Sequence, residues 1–197
     1  MGAENPMIYR VMGLGERDYS EFIPVNLLAR GTPILVTRPD APWASYADLL
    51  AHIEANPGEV RFGSTGPGGL PSVVTAMIQS VEGELDVIFV PYDGDGPALT
   101  ALQGGAIDVM PAVLGAAIEH IRAVTMRPLA VFDTARNDRL PDTPAVVEVS
   151  EDYAPYLPWG PFFGIFVRNG TPDDAVAALT AAFAQATQHP DFLALIE

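Results

Sequence analysis

Two Gly- and Pro-rich corners carry the residues of this chain best suited to hold something small and polar. The first reads Val60-Arg61-Phe62-Gly63-Ser64-Thr65-Gly66-Pro67-Gly68-Gly69-Leu70-Pro71, and the second reads Val87-Ile88-Phe89-Val90-Pro91-Tyr92-Asp93-Gly94-Asp95-Gly96-Pro97-Ala98-Leu99. In each, an apolar run with β-branched residues ends at the corner and a helical stretch follows. Glycine there lets the backbone approach a ligand, and the helix start points unpaired N–H groups and the positive end of its dipole into the same space. Two such corners at the carboxyl ends of neighbouring parallel strands make a polar pocket without a catalytic side chain. Binding is therefore expected rather than chemistry.

The motifs that would give these corners an enzymatic role are incomplete. A P-loop ends in Gly-Lys-Ser/Thr, and all ten basic residues of this chain are Arg. The G-x-G-x-x-G fingerprint is not met cleanly. Ser64 is not in a G-x-S-x-G elbow, because Phe62 stands where the first glycine belongs. The first corner could be an ordinary strand-to-helix turn, but Pro67, Gly68, Gly69 and Pro71 together exceed what such a turn needs. The second could equally be a tight turn, with Tyr92 packed at the sheet edge and Asp93 and Asp95 in solvent.

Other chemically able residues are scattered. His52, His120 and His189 lie far apart without metal-ligand spacing, so no metal site is expected. Asp108 falls in an apolar strand beside Gly104-Gly105, either as a structural hydrogen-bond hub, the favoured role, or as a ligand contact. Trp159 precedes the final strand, where it could close over a pocket or pack in the core. Glu148, Glu151 and Asp152 read as a solvated loop. No cofactor is implied.

The elements that must position the corners follow from pattern. Strands are expected at 34–37, 60–63, 87–90, 107–110, 128–132 and 162–167. Ser45-Tyr46-Ala47-Asp48 has capping-box spacing for a helix ending near Asn56 before Pro57-Gly58. Further helices are expected over 70–80, 97–103 and 114–123, and one after Thr171, which caps it with Pro172 at its first position. Strands alternating with ten-residue helices predict βαβ units and a parallel sheet covered on both faces. Length, 197 residues, and 49% hydrophobic content suffice for a core. The net charge of −15 argues against nucleic acid and anionic membrane as partners. There are no cysteines, hence no disulfides or thiolate metal sites. Met1-Gly2-Ala3-Glu4-Asn5-Pro6 has neither a basic nor an apolar leader region, so no signal peptide is expected in this chain.

The order of these pieces resembles the substrate-binding proteins of the tripartite tricarboxylate transporter family, often called Bug proteins. The matching stretches run from Asn56 to Gly68 and from Val90 to Leu99, then through Leu102 to Met110, Arg127 to Val131, Leu140 to Pro144 and Gly164 to Pro172. The resemblance implies a type II periplasmic-binding α/β fold with two lobes that close on a small carboxylate. It also implies a periplasmic location and membrane transporter subunits as partners. Carried over by position, the ligand contacts are Ser64, Thr65, Gly66 and Gly68 at the first corner and Tyr92, Gly94, Gly96 and Pro97 at the second. Asp93-Gly94-Asp95 stands where many members have Lys-Gly-Gly, which opposes a carboxylate ligand unless the two side chains point outward.

The resemblance also sets the expected organisation. Residues 1–38 would be a remnant of the first lobe with a hinge strand, 39–162 a complete second α/β lobe, and 163–197 the other hinge strand with C-terminal helices. The expected function is capture of a small organic acid by an extracytoplasmic receptor, without turnover. A ligand-sensing domain, or an enzyme on the same two-lobed fold, is the rival.

Overall fold

The computed structural model describes Arg10, Gly13, Gly15, Glu16 and residues 19–196; the leader reading at Met1–Pro6 lies outside them. The chain divides into two compact units, Gly31–Gly160 and Met1–Arg30 with Pro161–Glu197.

The Gly31–Gly160 unit is built on a five-stranded sheet of β2 (Pro33–Thr37), β3 (Arg61–Ser64), β4 (Ile88–Pro91), β5 (Val109–Val113) and β6 (Arg127–Val131), in the order β4-β3-β5-β2-β6. β3 runs parallel to β4 and β5, while β2 is antiparallel to both β5 and β6. The expectation of an all-parallel sheet is corrected at that one strand. β2 feeds no crossover helix into a neighbouring strand, so nothing forces it to run with the others, and periodicity does not report direction. Every residue of β2 is buried, as befits a strand paired on both sides and covered on both faces. For the same reason the expected boundary near residue 38 moves to Gly31, because Pro33–Thr37 is the inner strand of this sheet.

The helices divide between the two faces. α1 (Tyr46–Ala55) starts at the anticipated capping box: Ser45 Oγ accepts the Asp48 amide at 3.1 Å, and Asp48 Oδ2 accepts the Ser45 amide at 3.0 Å. It packs with α2 (Leu70–Glu82) against one face, around Leu35, Leu49, Phe62, Val74 and Ile78. α3 (Asp95–Gln103) and α4 (Leu114–Arg122) cover the other, around Ile34, Val36, Leu102, Met110 and Ile118. The alternation of Ile34, Leu35 and Val36 between the two cores is the period-2 signature of a strand buried on both faces.

The segment expected to be irregular and solvated contains α5 (Val146–Val149) and a 3-10 turn, Glu151–Tyr156. Glu148 closes the start of α5 by accepting the Ala145 amide, and it holds Arg136 through two guanidinium nitrogens. Its carboxyl is lowered to about 2, chiefly by that arginine. From the 3-10 turn, the Tyr153 hydroxyl pairs with Tyr46 at 2.6 Å and donates to Glu82 at 3.0 Å, which ties the segment to α1 and α2.

The other unit holds an antiparallel ribbon of β1 (Phe22–Arg30) and β7 (Phe162–Arg168), with the Tyr19 ring packed at a tilt against Phe162 and Phe166. It continues into α6 (Asp173–Ala186) and α7 (Pro190–Ile196). Pro172, not Thr171, occupies the cap position of α6; the Thr171 hydroxyl is turned back to donate to the Arg168 carbonyl at 2.7 Å.

Asp108 was expected inside a strand at 107–110, but it sits immediately before β5, one residue outside the strand as it forms. Its Oδ2 accepts the Arg61 amide (3.0 Å) and Nε (2.8 Å), its Oδ1 accepts Arg61 Nη2 (2.8 Å), and Arg38 Nη1 lies 3.5 Å away. Burial acts to raise this carboxyl, but the Arg61 hydrogen bonds and the two guanidinium charges outweigh it and hold it below the usual carboxylate range. The clasp therefore stabilises the fold above the pKa of an unfolded aspartate, and that contribution is lost as pH falls through the lower native value. Asp108→Ala strands the Arg61 donors and is expected to cost about 2–3 kcal/mol at neutral pH. Urea unfolding at pH 7 and pH 3 should show the gap between wild type and variant narrowing in acid; an unchanged gap would refute the charge-based account.

Candidate functional site

The parallel strands deliver their following helices to one edge of the sheet. β3 leads into α2 on one face, whereas β5 leads into α4 on the other, so the adjacent carboxyl ends of β3 and β5 flank a topological switch point, where open α/β sheets form crevices. The β3 and β4 corners stand side by side there: the Tyr92 amide donates to the Ser64 carbonyl at 2.7 Å and fixes one against the other.

At the first corner the chain turns through Gly66, at φ +92°, and Ser72 Oγ donates to its carbonyl at 2.9 Å. The N–H groups of Thr65, Gly66 and Gly68 find no acceptor among the described residues. At the second corner Gly94, at φ +136°, is the cap of α3, and the N–H groups of Asp93, Gly94, Asp95 and Gly96 are likewise free among the described residues. Neither helix has a side-chain cap, so each start offers its donors and its dipole outward.

Thr65, Gly66, Pro91, Tyr92, Asp93 and Pro97 line one open cleft of about 630 Å³, within the size range of small-molecule sites. Thr65, Gly66, Tyr92 and Pro97 of the anticipated set are thereby brought together. Ser64 lies on the other side of the first corner, in a smaller recess with Ser72, Thr75 and Gln79. Gly68 is buried beneath the turn, Gly94 is half-buried and Gly96 is exposed. Tyr92 leans against the second core cluster. Asp108 is not part of this group: it precedes β5, at the sheet edge opposite the corners. Trp159 packs against the first core cluster.

Asp93 and Asp95 take different places. Asp93 is exposed and lines the cleft. Asp95 turns inward, and its Oδ2 accepts the Val113 amide at 3.2 Å, at the cap position of α4. Burial pushes its carboxyl up, partly offset by that hydrogen bond. A third strand-to-helix corner, Val113-Leu114, thus belongs to the same edge. The sequence analysis singled out no site there, because the corner lacks the run of Gly and Pro that marks the other two: only Pro111 and Gly115 flank it.

The family model described as "Tripartite tricarboxylate transporter family receptor" matches residues 2–197. The chain belongs to this family. It is 31% identical over 172 residues to protein BugT of Bordetella pertussis, which covers 85% of this chain and 50% of BugT. It is 33% identical over 135 residues to an Agrobacterium vitis protein of the TAR-I ttuE-ttuC' intergenic region, covering 68% of this chain and 39% of that one. The chain thus spans half the length of BugT and less of the Agrobacterium vitis protein. Among solved structures it is similar to MatC of Rhodopseudomonas palustris with bound malate, at TM-score 0.77 and 26% identity over 87% of this chain and 57% of MatC. It is also similar to an R. palustris protein with adipate, at TM-score 0.77 and 28% identity over 92% and 62% of the two chains. A TctC solute-binding protein from Polaromonas shares the fold, at TM-score 0.76 and 24% identity over 97% of this chain and 64% of that one. Family members are periplasmic solute-binding proteins, not enzymes. Among the described residues, no helix is long and apolar enough to cross a membrane.

Two substitutions test how the family's corners are built here. Gly66→Ala forces a side chain into a left-handed backbone and should cost about 1–3 kcal/mol in denaturant unfolding. Asp95→Asn keeps an acceptor for the Val113 amide and removes a charge that burial disfavours. The wild-type penalty is present above the raised native pKa and is relieved as pH falls through it. Asp95→Asn should therefore equal or exceed wild type in melting temperature at pH 7, and a clear loss would contradict the view that burial outweighs the hydrogen bond at this carboxylate.

Proposed function

We propose that this chain carries the ligand-binding surface of a periplasmic receptor that captures a small organic carboxylate for a tripartite tricarboxylate-type transporter. The observation that carries the reading is the pair of adjacent helix starts whose N–H groups, free among the described residues, border one cleft lined by Thr65, Gly66, Pro91, Tyr92, Asp93 and Pro97. Such donors suit an anion and accomplish no bond cleavage. The malate and adipate held by two of its structural relatives fit the same ligand class.

The contacts proposed are the backbone and side chains of Ser64, Thr65, Gly66 and Gly68 at the first corner and of Tyr92, Gly94, Gly96 and Pro97 at the second. Asp108 and Trp159 support the frame around them. The partners proposed are the membrane subunits of the transporter, and closure of two lobes over the ligand is the mechanism by which capture becomes a signal to them.

Affinity for this chain alone follows from the donors. Each helix start offers an anion about 0.3–1 kcal/mol at a surface and about 2 when partly buried. Two of them give binding in the millimolar range or weaker. Amide-resolved NMR titration with acetate, malate and adipate should shift the Thr65, Gly66 and Gly68 signals at millimolar ligand. Silence of those amides up to saturating concentrations would refute the site, and micromolar binding would show that this chain already encloses its ligand.

A further inference from the structure

A second recess lies on the other side of the first corner, between α2 and β4, the outermost strand of the sheet. It measures about 220 Å³, with Pro71, Ser72, Thr75 and Gln79 of α2 along one side, Ser64 at the end of β3, and Phe89 of β4. It shares no lining residue with the cleft proposed for a carboxylate, and no charged side chain lines it.

Helix hydroxyls in this protein satisfy themselves on backbone carbonyls. Ser80 donates to Ala76 at 2.8 Å, Thr100 to Gly96 at 3.0 Å and Thr180 to Val176 at 2.8 Å, while Ser72 reaches Gly66 at 2.9 Å. Thr75 breaks the pattern. It is only 5% exposed and lines the recess, and its hydroxyl has no hydrogen-bond partner among the described residues. A hydroxyl at that depth costs stability unless something pairs with it. The Ser64 hydroxyl and the Gln79 carboxamide, on the same recess, also lack a side-chain hydrogen bond among the described residues.

The apolar side of the recess is Phe89. Its ring meets Phe62 edge-on, with centroids 6.3 Å apart, and is still 48% exposed. The strand that carries it is poorly made for pairing with another strand. β4 has four residues and ends in Pro91, which has no N–H to give, and short length and proline both blunt a sheet edge. The exposed ring therefore suits a small molecule better than an added strand.

We propose that this recess is a binding site for a neutral ring polyol, a monosaccharide or cyclitol, with a C–H face on Phe89 and hydroxyls on Thr75, Ser64 and Gln79. Hydroxyl and carboxamide groups both donate and accept, as neighbouring hydroxyls on a ring do. An ion of either sign would give up hydration here with no opposite charge in the lining to replace it. A purely apolar ring would leave the Thr75 hydroxyl unpaired. The negative face of an aromatic ring attracts the C–H groups of a polyol, and the volume, below that of drug-sized sites, suits a single ring.

The test is amide-resolved NMR titration of the 197-residue chain with glucose, myo-inositol and cyclohexanol, on wild type and on Thr75→Val. Glucose or myo-inositol should shift the Thr75, Gln79 and Phe89 amides saturably and bind more than threefold tighter than cyclohexanol. Either polyol supports the site, and the tighter of the two tells sugar from cyclitol. Thr75→Val keeps the shape of the side chain and removes the hydroxyl. It should melt at or above wild type, because that hydroxyl has no partner in the protein, and lose about two- to tenfold in polyol affinity, the worth of one neutral hydrogen bond. The proposal is overturned if neither polyol shifts those amides, if cyclohexanol binds as tightly, or if Thr75→Val binds the polyol undiminished. A variant that melts clearly below wild type also overturns it, since the hydroxyl would then be structural. The carboxylate titration described above reads the Thr65, Gly66 and Gly68 amides, so either site can fail without the other.

Discussion

One carboxylate aligns the strands that everything else hangs on. β3 and β5 share a single registered pair, Phe62 with Val109, which alone is a weak basis for placing two strands. Asp108 extends it from one side: its amide donates to the Arg61 carbonyl while its carboxylate gathers the Arg61 amide and guanidinium. The same corner is tied to β2, since Thr37 Oγ1 donates to the Asp108 carbonyl and receives Trp43 Nε1. If β3 slipped by one residue against β5, Phe62 would leave one core for the other and the first corner would move along the sheet edge. The binding edge is thus fixed from the opposite end of the strands, by a residue that contacts no part of the cleft.

The sequence was most readable where local chemistry decides the outcome. Ser45 and Asp48 announce α1, the glycines at 66 and 94 announce turns that need left-handed backbone, and Gly104-Gly105 ends α3. It was least readable where long-range pairing decides. Nothing in Ile34-Leu35-Val36-Thr37 says that the strand runs against its neighbours, because an apolar run buried on both faces looks the same in either direction. The short helix Val146–Val149 was hidden for a related reason: its start is closed by Glu148, which also serves a distant Arg136, and only the folded chain brings the two together.

The candidate site shows the same division. The corners could be found because Gly and Pro mark them, and four of their residues do meet in one cleft. The sequence could not say that Ser64 faces a different recess, or that Asp93 and Asp95, two residues apart, go to different places. Asp93 turns to the cleft and Asp95 to the Val113 amide, and that second destination is invisible without the β5–α4 junction, a corner written entirely in apolar residues. Asp108 was ambiguous between hub and ligand contact because an aspartate in an apolar strand signals only that it must have a partner. The partner is Arg61, from the neighbouring strand.

The inner strand β2 has a consequence for how this molecule comes into being. β2 emerges early in synthesis, yet its ladder partners come much later: Pro33 aligns with Val113, and Ile34 with Val131. Until both β5 and β6 exist, five consecutive residues destined for full burial have nowhere to go. Loops of that length close slowly, because their entropy must be surrendered before any contact repays it. The first-made strand of this sheet is therefore the last to be seated, and its insertion between two strands that already run the other way completes the sheet. A nascent chain halted before Val131 would carry an exposed apolar segment able to pair with the wrong edge. The part of the molecule most deeply buried at the end is the part most in need of shelter on the way.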